Sequence, residues 1–313
     1  MRDHFNSLAS QPPNHVSHFD SERIFQLAGL LYTSNSSSKS PALVVVHPGG
    51  GVKEQTASLY AKKLADSGFT TVCFDASHQG ESGGEPHFLE DPSQRVSDAW
   101  SVVDYVERLD FVDTDKIGIV GICARGGYAV AAAKADHRIT AVTTISMVNI
   151  GDGARLGWYG DEDPSKHIET LKQVAQQISA ENKGAEPAHA PYVPADPDDK
   201  TPYDLKEACE YYLTPRAQHP RAANKMFVRS TPMVPNFDAF HLADVFLKQP
   251  LLLIVGEDAG SRWHTERLDK VIGGTTKKVV VPKGTHMDFH GKPEFVVPSV
   301  ENVSKFMKAM LSE

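Results

Sequence analysis

Apolar residues run along this chain in two alternating rhythms. ALVVVH (42–47), TTVCFD (70–75), KIGIVGI (116–122), ITAVTTIS (139–146) and LLLIVGE (251–257) are short, nearly unbroken apolar runs rich in β-branched residues. Runs of this length predict strands buried on both faces. Between them the apolar positions fall three and four apart. Residues 53–67 put Ala57, Tyr60, Ala61 and Leu64 on one face, and 93–109 do the same with Val96, Trp100, Val103 and Val106. Both segments predict amphipathic helices. An alanine-rich helix is predicted from Gly126 to Ala135, then one at 264–272, a strand KKVVVP (277–282) and a last helix from about Glu294. Ahead of all these, HVSHFD (15–20) and IFQLAGLLYT (24–33) read as two strands, followed by a loop at 34–41.

The rhythm fails between about Asn149 and His241, where Pro, Asp, Ala and Lys are frequent. HIETLKQVAQQISAE (167–181) and PYDLKEACEYYL (202–213) read as helices, and AEPAHAPYVPADPDDKTP (185–202) as an exposed loop. A structureless connection of this length is rare inside a compact domain, so the segment reads as a cap inserted between two strands. The division is a core of 1–148, a cap or lid of 149–245 and a second part of the core at 246–313. Strands alternating with helices predict a mostly parallel central sheet with helices on both faces.

Composition narrows the classes. The chain has 313 residues, 40% hydrophobic and 23% charged, with a formal net charge of −8. That balance suits a globular protein and disfavours nucleic acid or an anionic membrane as partner. No apolar run reaches the ~20 residues of a membrane span, and the first fifteen residues lack the core of a signal peptide. Three cysteines, Cys73, Cys123 and Cys209, make no disulfide framework and point to a reduced, cytoplasmic setting.

In a parallel sheet the chemistry gathers beyond the carboxyl ends of the strands. KIGIVGI delivers Cys123 there, with Gly121 before it and Gly126 and Gly127 after it. A sharp strand–nucleophile–helix turn needs such small neighbours, and a helix N-terminus favours a thiolate. VVVHPGGG ends the first long strand with Gly49 and Gly50, whose N–H groups, with that of Ala124, are candidates for an oxyanion hole. VGEDAGSR brings Asp258, with Glu257 beside it, as the acid to orient a histidine, and VPKGTHMDFH brings His286. Nucleophile, acid and histidine follow one another in the order of the α/β-hydrolases. His286, Asp288 and His290 alternate and form a rival metal-ligand pattern. With no HExxH or CxxC elsewhere, no metal and no cofactor are expected. GICARGG carries neither a Walker lysine nor a G-x-G-x-x-G, so nucleotide binding has no support.

The segments VVVHPGGGVKEQTASLYAKKLADSGF, FDASHQGESGGEP, DKIGIVGICARGGYA and VGEDAGSR…GTHMDF resemble the capped α/β-hydrolases of the dienelactone-hydrolase-like group, most of all its fungal polyketide transferase and thiohydrolase branch. The resemblance covers about residues 15–150 and 245–313. It implies an α/β-hydrolase fold and a Cys–Asp–His triad at Cys123, Asp258 and His286. Arg125 stands where the family has glycine and becomes a candidate substrate contact. Asp258 lies two residues after Gly256, where many relatives place the acid three after, so Asp152 is kept as the alternative acid.

These readings together predict an acyl hydrolase or acyltransferase working on a thioester through a covalent acyl-enzyme. The expected partner is a small-molecule acyl substrate, free or presented by an acyl carrier domain, with monomer and dimer both open. An esterase or lactone hydrolase of the dienelactone type is the other enzymatic reading. A non-catalytic small-molecule binder on the same fold is the alternative outside enzymes.

Overall fold

The computed structural model of the chain describes residues 15–20 in backbone only, then 26–34, 38–274 and 276–312. The leader before residue 15, Ile24 and Phe25 of the second expected strand, and residues 35–37 of the loop after it lie outside the described residues. Ten strands occur among those described: β1 (His15–Asp20), β2 (Gln26–Tyr32), β3 (Ser40–Val46), β4 (Thr70–Phe74), β5 (Val112–Ile122), β6 (Ile139–Ile145), β7 (His189–Ala190), β8 (Met226–Phe227), β9 (Leu251–Gly256) and β10 (Lys277–Val281). Eight of them form one sheet in the order β1-β2-β4-β3-β5-β6-β9-β10, and β7 pairs with β8 apart from it. Within the eight-stranded sheet every pairing from β4 across to β10 is parallel, while β1 and β2 join antiparallel at one edge.

The helices are α1 (Thr56–Asp66), α2 (Pro92–Glu107), α3 (Ala124–Ala135), α4 (Ile150–Leu156), α5 (His167–Glu181), α6 (Tyr203–Leu213), α7 (Ala243–Phe246), α8 (Arg262–Val271) and α9 (Pro293–Met310). The two-residue period of a strand sorts the core into two layers. Leu43, Val45, Val120 and Ile122 face one way, onto Ala57, Tyr60, Ala61 and Leu64 of α1 and Val300, Val303 and Phe306 of α9. Val44, Val46, Ile117 and Ile119 face the other way, onto Val96, Val102 and Val103 of α2 and the alanines of α3. The uniformly apolar strands of the sequence are therefore the central ones, covered on both faces.

Two boundaries differ from expectation. β5 starts at Val112 and runs through the polar DTDK before its buried half. α3 starts at Ala124, so Gly126 and Gly127 lie inside its first turn. A Cβ on Gly126 would sit 2.3 Å from Met147 Cβ, and one on Gly127 2.7 Å from the Val148 carbonyl. The glycines let this turn press against the chain leaving β6, rather than opening the helix.

Between β6 and β9 the chain makes α4 to α7 and the β7–β8 pair. α5 buries only Val174. α6 buries Ala208, Cys209 and Tyr211 in a small cluster with Val193 and Met287. Met287 belongs to the loop after β10, so this cluster seats the segment on the carboxyl-end edge of the sheet.

Candidate active site

Cys123 follows the last residue of β5 and precedes the first of α3, at φ 56° and ψ −130°. A non-glycine residue holds such a backbone only where its surroundings impose it. Here its N–H donates to the Ile145 carbonyl (3.0 Å), and its own carbonyl accepts from Gly126 N (2.9 Å) and Val148 N (2.9 Å). Gly121 is part of the same device, because a Cβ there would lie 2.5 Å from the Arg125 carbonyl and 2.7 Å from Gly126 Cα.

The loop after β10 brings His286 to the sulfur, with Nε2 3.2 Å from Cys123 Sγ. The other ring nitrogen, Nδ1, meets Ser261 Oγ at 2.6 Å and Ser146 Oγ at 3.2 Å. Burial alone would raise the thiol, but His286, with His290 behind it, outweighs burial and holds Cys123 well below the usual thiol range. Burial alone would lower the imidazole, and the charge of Cys123, then of Asp204 and Glu207, raises His286 above its ordinary value. Both directions favour a thiolate–imidazolium pair, the form in which Nδ1–H donates to Ser261 and Nε2–H to sulfur.

His290, at the end of the 3-10 turn Met287–His290, is 1% exposed. Its ring lies edge-on to Tyr211 and Tyr212, and neither ring nitrogen has a hydrogen-bond partner. Burial keeps it less basic than an ordinary histidine.

The two other expected corners differ in outcome. Gly49 and Ala124 line the cavity at the sulfur, close enough that a Cβ on Gly49 would stand 3.2 Å from Ala124 Cβ. The loop bearing Gly49 is fixed by His47, whose Nδ1–H donates to the Pro48 carbonyl (2.7 Å) while Nε2 accepts from Ala76 N–H (3.2 Å). Burial keeps that imidazole well below its ordinary value, hence neutral. Gly50 is turned aside at φ +68°, beneath the Tyr192 ring, and is not part of this lining.

Asp258 does not reach His286. Its side chain is exposed, its N–H donates to the Gly284 carbonyl (2.9 Å), and the buried Ser261 three residues on takes the place at Nδ1. Asp152 is buried but engaged elsewhere, with Arg155 (2.6 Å), Arg267 (2.9 Å) and Asn149 (2.8 Å). Arg125 is likewise no cavity residue. Its guanidinium lies 5.1 Å over the Tyr128 ring and 3.6 Å from Glu90, buried under the turn. Asp288 caps Thr285 N (2.8 Å) and pairs with Lys292 (2.5 Å), turned from both histidines.

Glu90 makes a hub behind the site. It accepts from Arg95 (2.9 Å), Tyr128 (2.8 Å) and Tyr192 (2.7 Å). Burial alone would raise its carboxyl, and Arg95 and Arg125 reverse that to well below the usual range. Through Tyr192 this ion cluster ties the inserted segment to the loop of Gly49 and Gly50.

That segment also supplies acids that sequence spacing did not single out. Asp204, in the first turn of α6, accepts from His286 N (2.9 Å), Gly260 N (2.8 Å) and Trp158 Nε1 (2.9 Å). Glu207, one turn on, accepts from Thr285 Oγ1 (2.6 Å). Above the sulfur lies a cavity of about 430 Å³, walled by Val148, Leu171, Leu205, Ala208, Met226 and Val234 among others. The signals for Asp204 and Ser261 were faint. Asp204 is one acid among many in a polar loop, and Ser261 looks like an ordinary helix start.

Residues 26–224 match the family model described as X-Pro dipeptidyl-peptidase (S15 family). The protein described as uncharacterized protein YcjY, of Escherichia coli (strain K12), is 42% identical over 274 residues, covering 86% of this chain and 89% of that protein. The crystal structure of hypothetical protein PA2218 from Pseudomonas aeruginosa superposes with a TM-score of 0.89 at 28% identity, covering 95% of this chain and 93% of that one. The polyketide transferase grgF of Penicillium sp is 26% identical over 185 residues, covering 59% of this chain and 58% of that protein. Its structure, an alpha/beta hydrolase, superposes with a TM-score of 0.79 at 19% identity over 96% and 99% of the two chains.

Proposed function

Because the chain belongs to the X-Pro dipeptidyl-peptidase (S15) family and is an α/β-hydrolase enzyme, we propose that it transfers or hydrolyses acyl groups carried as thioesters, with Cys123 as nucleophile. The observation that carries this reading is the 3.2 Å contact between Cys123 Sγ and His286 Nε2 under an apolar cavity. The thiolate attacks the acyl carbon, and the carbonyl oxygen becomes an oxyanion held by N–H groups near Gly49 and at Ala124. The thioester's C–S bond then breaks, and His286 returns its proton to the departing thiol. In the second half His286 takes a proton from water or an acceptor alcohol, whose oxygen attacks the acyl-enzyme and expels Cys123 as thiolate.

Exchange of one thiolate for another is nearly balanced, whereas an amide must expel a poor leaving group. A thioester therefore suits this nucleophile better than the peptide bond in the family's description, and better than an unactivated ester. The likeness to a polyketide transferase supports a bulky acyl chain, free or presented by an acyl carrier domain. The cavity wall, apolar and drawn largely from the inserted segment, suits such a chain.

The test is a substrate panel: acyl thioesters of graded length, p-nitrophenyl esters of the same acyl groups, and an Xaa-Pro anilide. Thioesters of medium chain should give the highest kcat/KM. A preference for the anilide would sink the reading in favour of a peptidase, and a preference for oxygen esters would favour an esterase.

A further inference from the structure

Cys123 Sγ, one ring nitrogen of His286 and one of His290 lie within 4.8 Å of one another. We propose that these three side chains form a site for a single thiophilic divalent cation, Zn²⁺ foremost, which binds the sulfur and holds the enzyme inactive.

Binding of Zn²⁺ displaces the Nε2 proton of His286 to solvent, which leaves one thiolate and two neutral imidazoles as donors, the borderline-soft combination that suits Zn²⁺. Zn–S and Zn–N bonds of about 2.3 and 2.0 Å at a tetrahedral angle put sulfur and nitrogen about 3.5 Å apart. Sγ and His286 Nε2 are already 3.2 Å apart. Only His290 has to close in, and the side chain it already interacts with is Cys123. Its ring is buried, edge-packed by Tyr211 and Tyr212, and neither nitrogen is committed to a hydrogen bond. A buried imidazole with neither nitrogen in a well-formed hydrogen bond, beside a cysteine sulfur, calls for a ligand.

The outer shell is also in place. Ligating histidines bond through their second nitrogen to a fixed polar group, and His286 Nδ1 has Ser261 Oγ at 2.6 Å. The carboxylate of Asp204, bonded to the His286 main chain, adds negative charge nearby. The fourth position opens on the cavity, whose lining contains all three donors, so a water completes the shell. The rival pattern His286–Asp288–His290, which the sequence offered without a metal being expected, thus gives way to a different third ligand. Asp288 is turned to Lys292, and the cysteine takes its place. A sulfur bound to Zn²⁺ has given up the lone pair that would attack an acyl carbon. Inhibition rests on the role proposed for Cys123, while binding does not.

The experiment is titration of the full chain with Co²⁺ as a spectroscopic substitute for Zn²⁺. One equivalent should produce a thiolate-to-cobalt charge-transfer band in the near ultraviolet and the strong visible bands of a tetrahedral ion, displaced by Zn²⁺. Cys123→Ser should lose the charge-transfer band, and Cys209→Ser should keep it. His290→Gln should weaken Zn²⁺ at least about tenfold, since even outer-shell partners contribute that much. Without any substitution, saturating Zn²⁺ should slow alkylation of Cys123 by iodoacetamide at least tenfold and stop turnover until a chelator is added. A band that survives Cys123→Ser, an undiminished affinity in His290→Gln, or alkylation indifferent to Zn²⁺ overturns the site. Turnover that rises with Zn²⁺ overturns the inhibitory role. If no acyl-enzyme forms but the cobalt spectrum appears, the thioester reading fails and the metal site stands.

Discussion

The sheet edge and the inserted segment meet at the same cavity, but they are built by different physics. On the sheet edge, Cys123, Gly49 and His286 are carried by strand ends whose neighbours leave them no alternative position. Gly121 and Gly126 allow contacts a Cβ would forbid, and two backbone hydrogen bonds clamp the Cys123 carbonyl. In the insertion, α5 buries only Val174, and α6 is held by a small apolar cluster and a few polar ties. Yet Asp204, Glu207, Tyr192 and most of the cavity wall come from it. The sheet places Cys123 and His286, and the insertion adds the charges of Asp204 and Glu207 beside His286 and shapes the space above them.

That contrast can be broken by substitution, and the largest effects belong to the sheet edge. Cys123→Ala and His286→Ala should each lower kcat/KM by at least about 10⁴-fold, as for other nucleophile–base pairs. Gly121→Ala should destabilise the fold by about 3 kcal/mol or more through overpacking of the turn, read as a lowered Tm.

Asp204→Asn comes next. It keeps the side chain's shape but removes the charge that helps raise His286. A raised histidine stays protonated to higher pH, so the ion pair is lost on the alkaline side as His286 deprotonates. It is lost on the acid side as the depressed Cys123 takes up a proton. The kcat/KM–pH profile should be a bell belonging to the pair, with its acid limb well below the ordinary thiol value of about 8.5. In Asp204→Asn the alkaline limb should move to lower pH, and kcat should fall roughly tenfold. An unmoved limb would reduce Asp204 to a purely structural tie.

Smaller still is Leu171→Trp in the cavity wall. It should cost long acyl chains about tenfold in kcat/KM while sparing acetyl, as lost room in an apolar pocket does. Equal losses on both would detach the insertion from substrate choice. Asp258→Asn should change neither kcat nor Tm measurably, because its carboxylate is exposed and apart from His286.

How much of this was legible follows the same division. Uninterrupted apolar runs are diagnostic of central parallel strands, so β3, β4, β5, β6 and β9 could be read from periodicity, and with them the strand ends before Gly49 and Cys123, while His286 follows the shorter run of β10. Asp258 was read from position after a strand. It lost to Ser261 because the chain turns away at Asp258 and returns only at the start of α8. Asp204 lies 82 residues from the histidine it supports, in a segment whose packing follows no period. His290 was visible as a histidine two residues past Asp288, but its approach to Cys123 comes from a 3-10 turn that alternation of residue types does not reveal.

The most direct measurement is intact-protein and peptide mass spectrometry on enzyme quenched during the first turnovers of a medium-chain acyl thioester. The account predicts a mass increase of one acyl group, confined to the peptide containing Cys123, appearing in a burst and absent from Cys123→Ala. Turnover with no adduct, or an adduct on Cys73 or Cys209 instead, would contradict it.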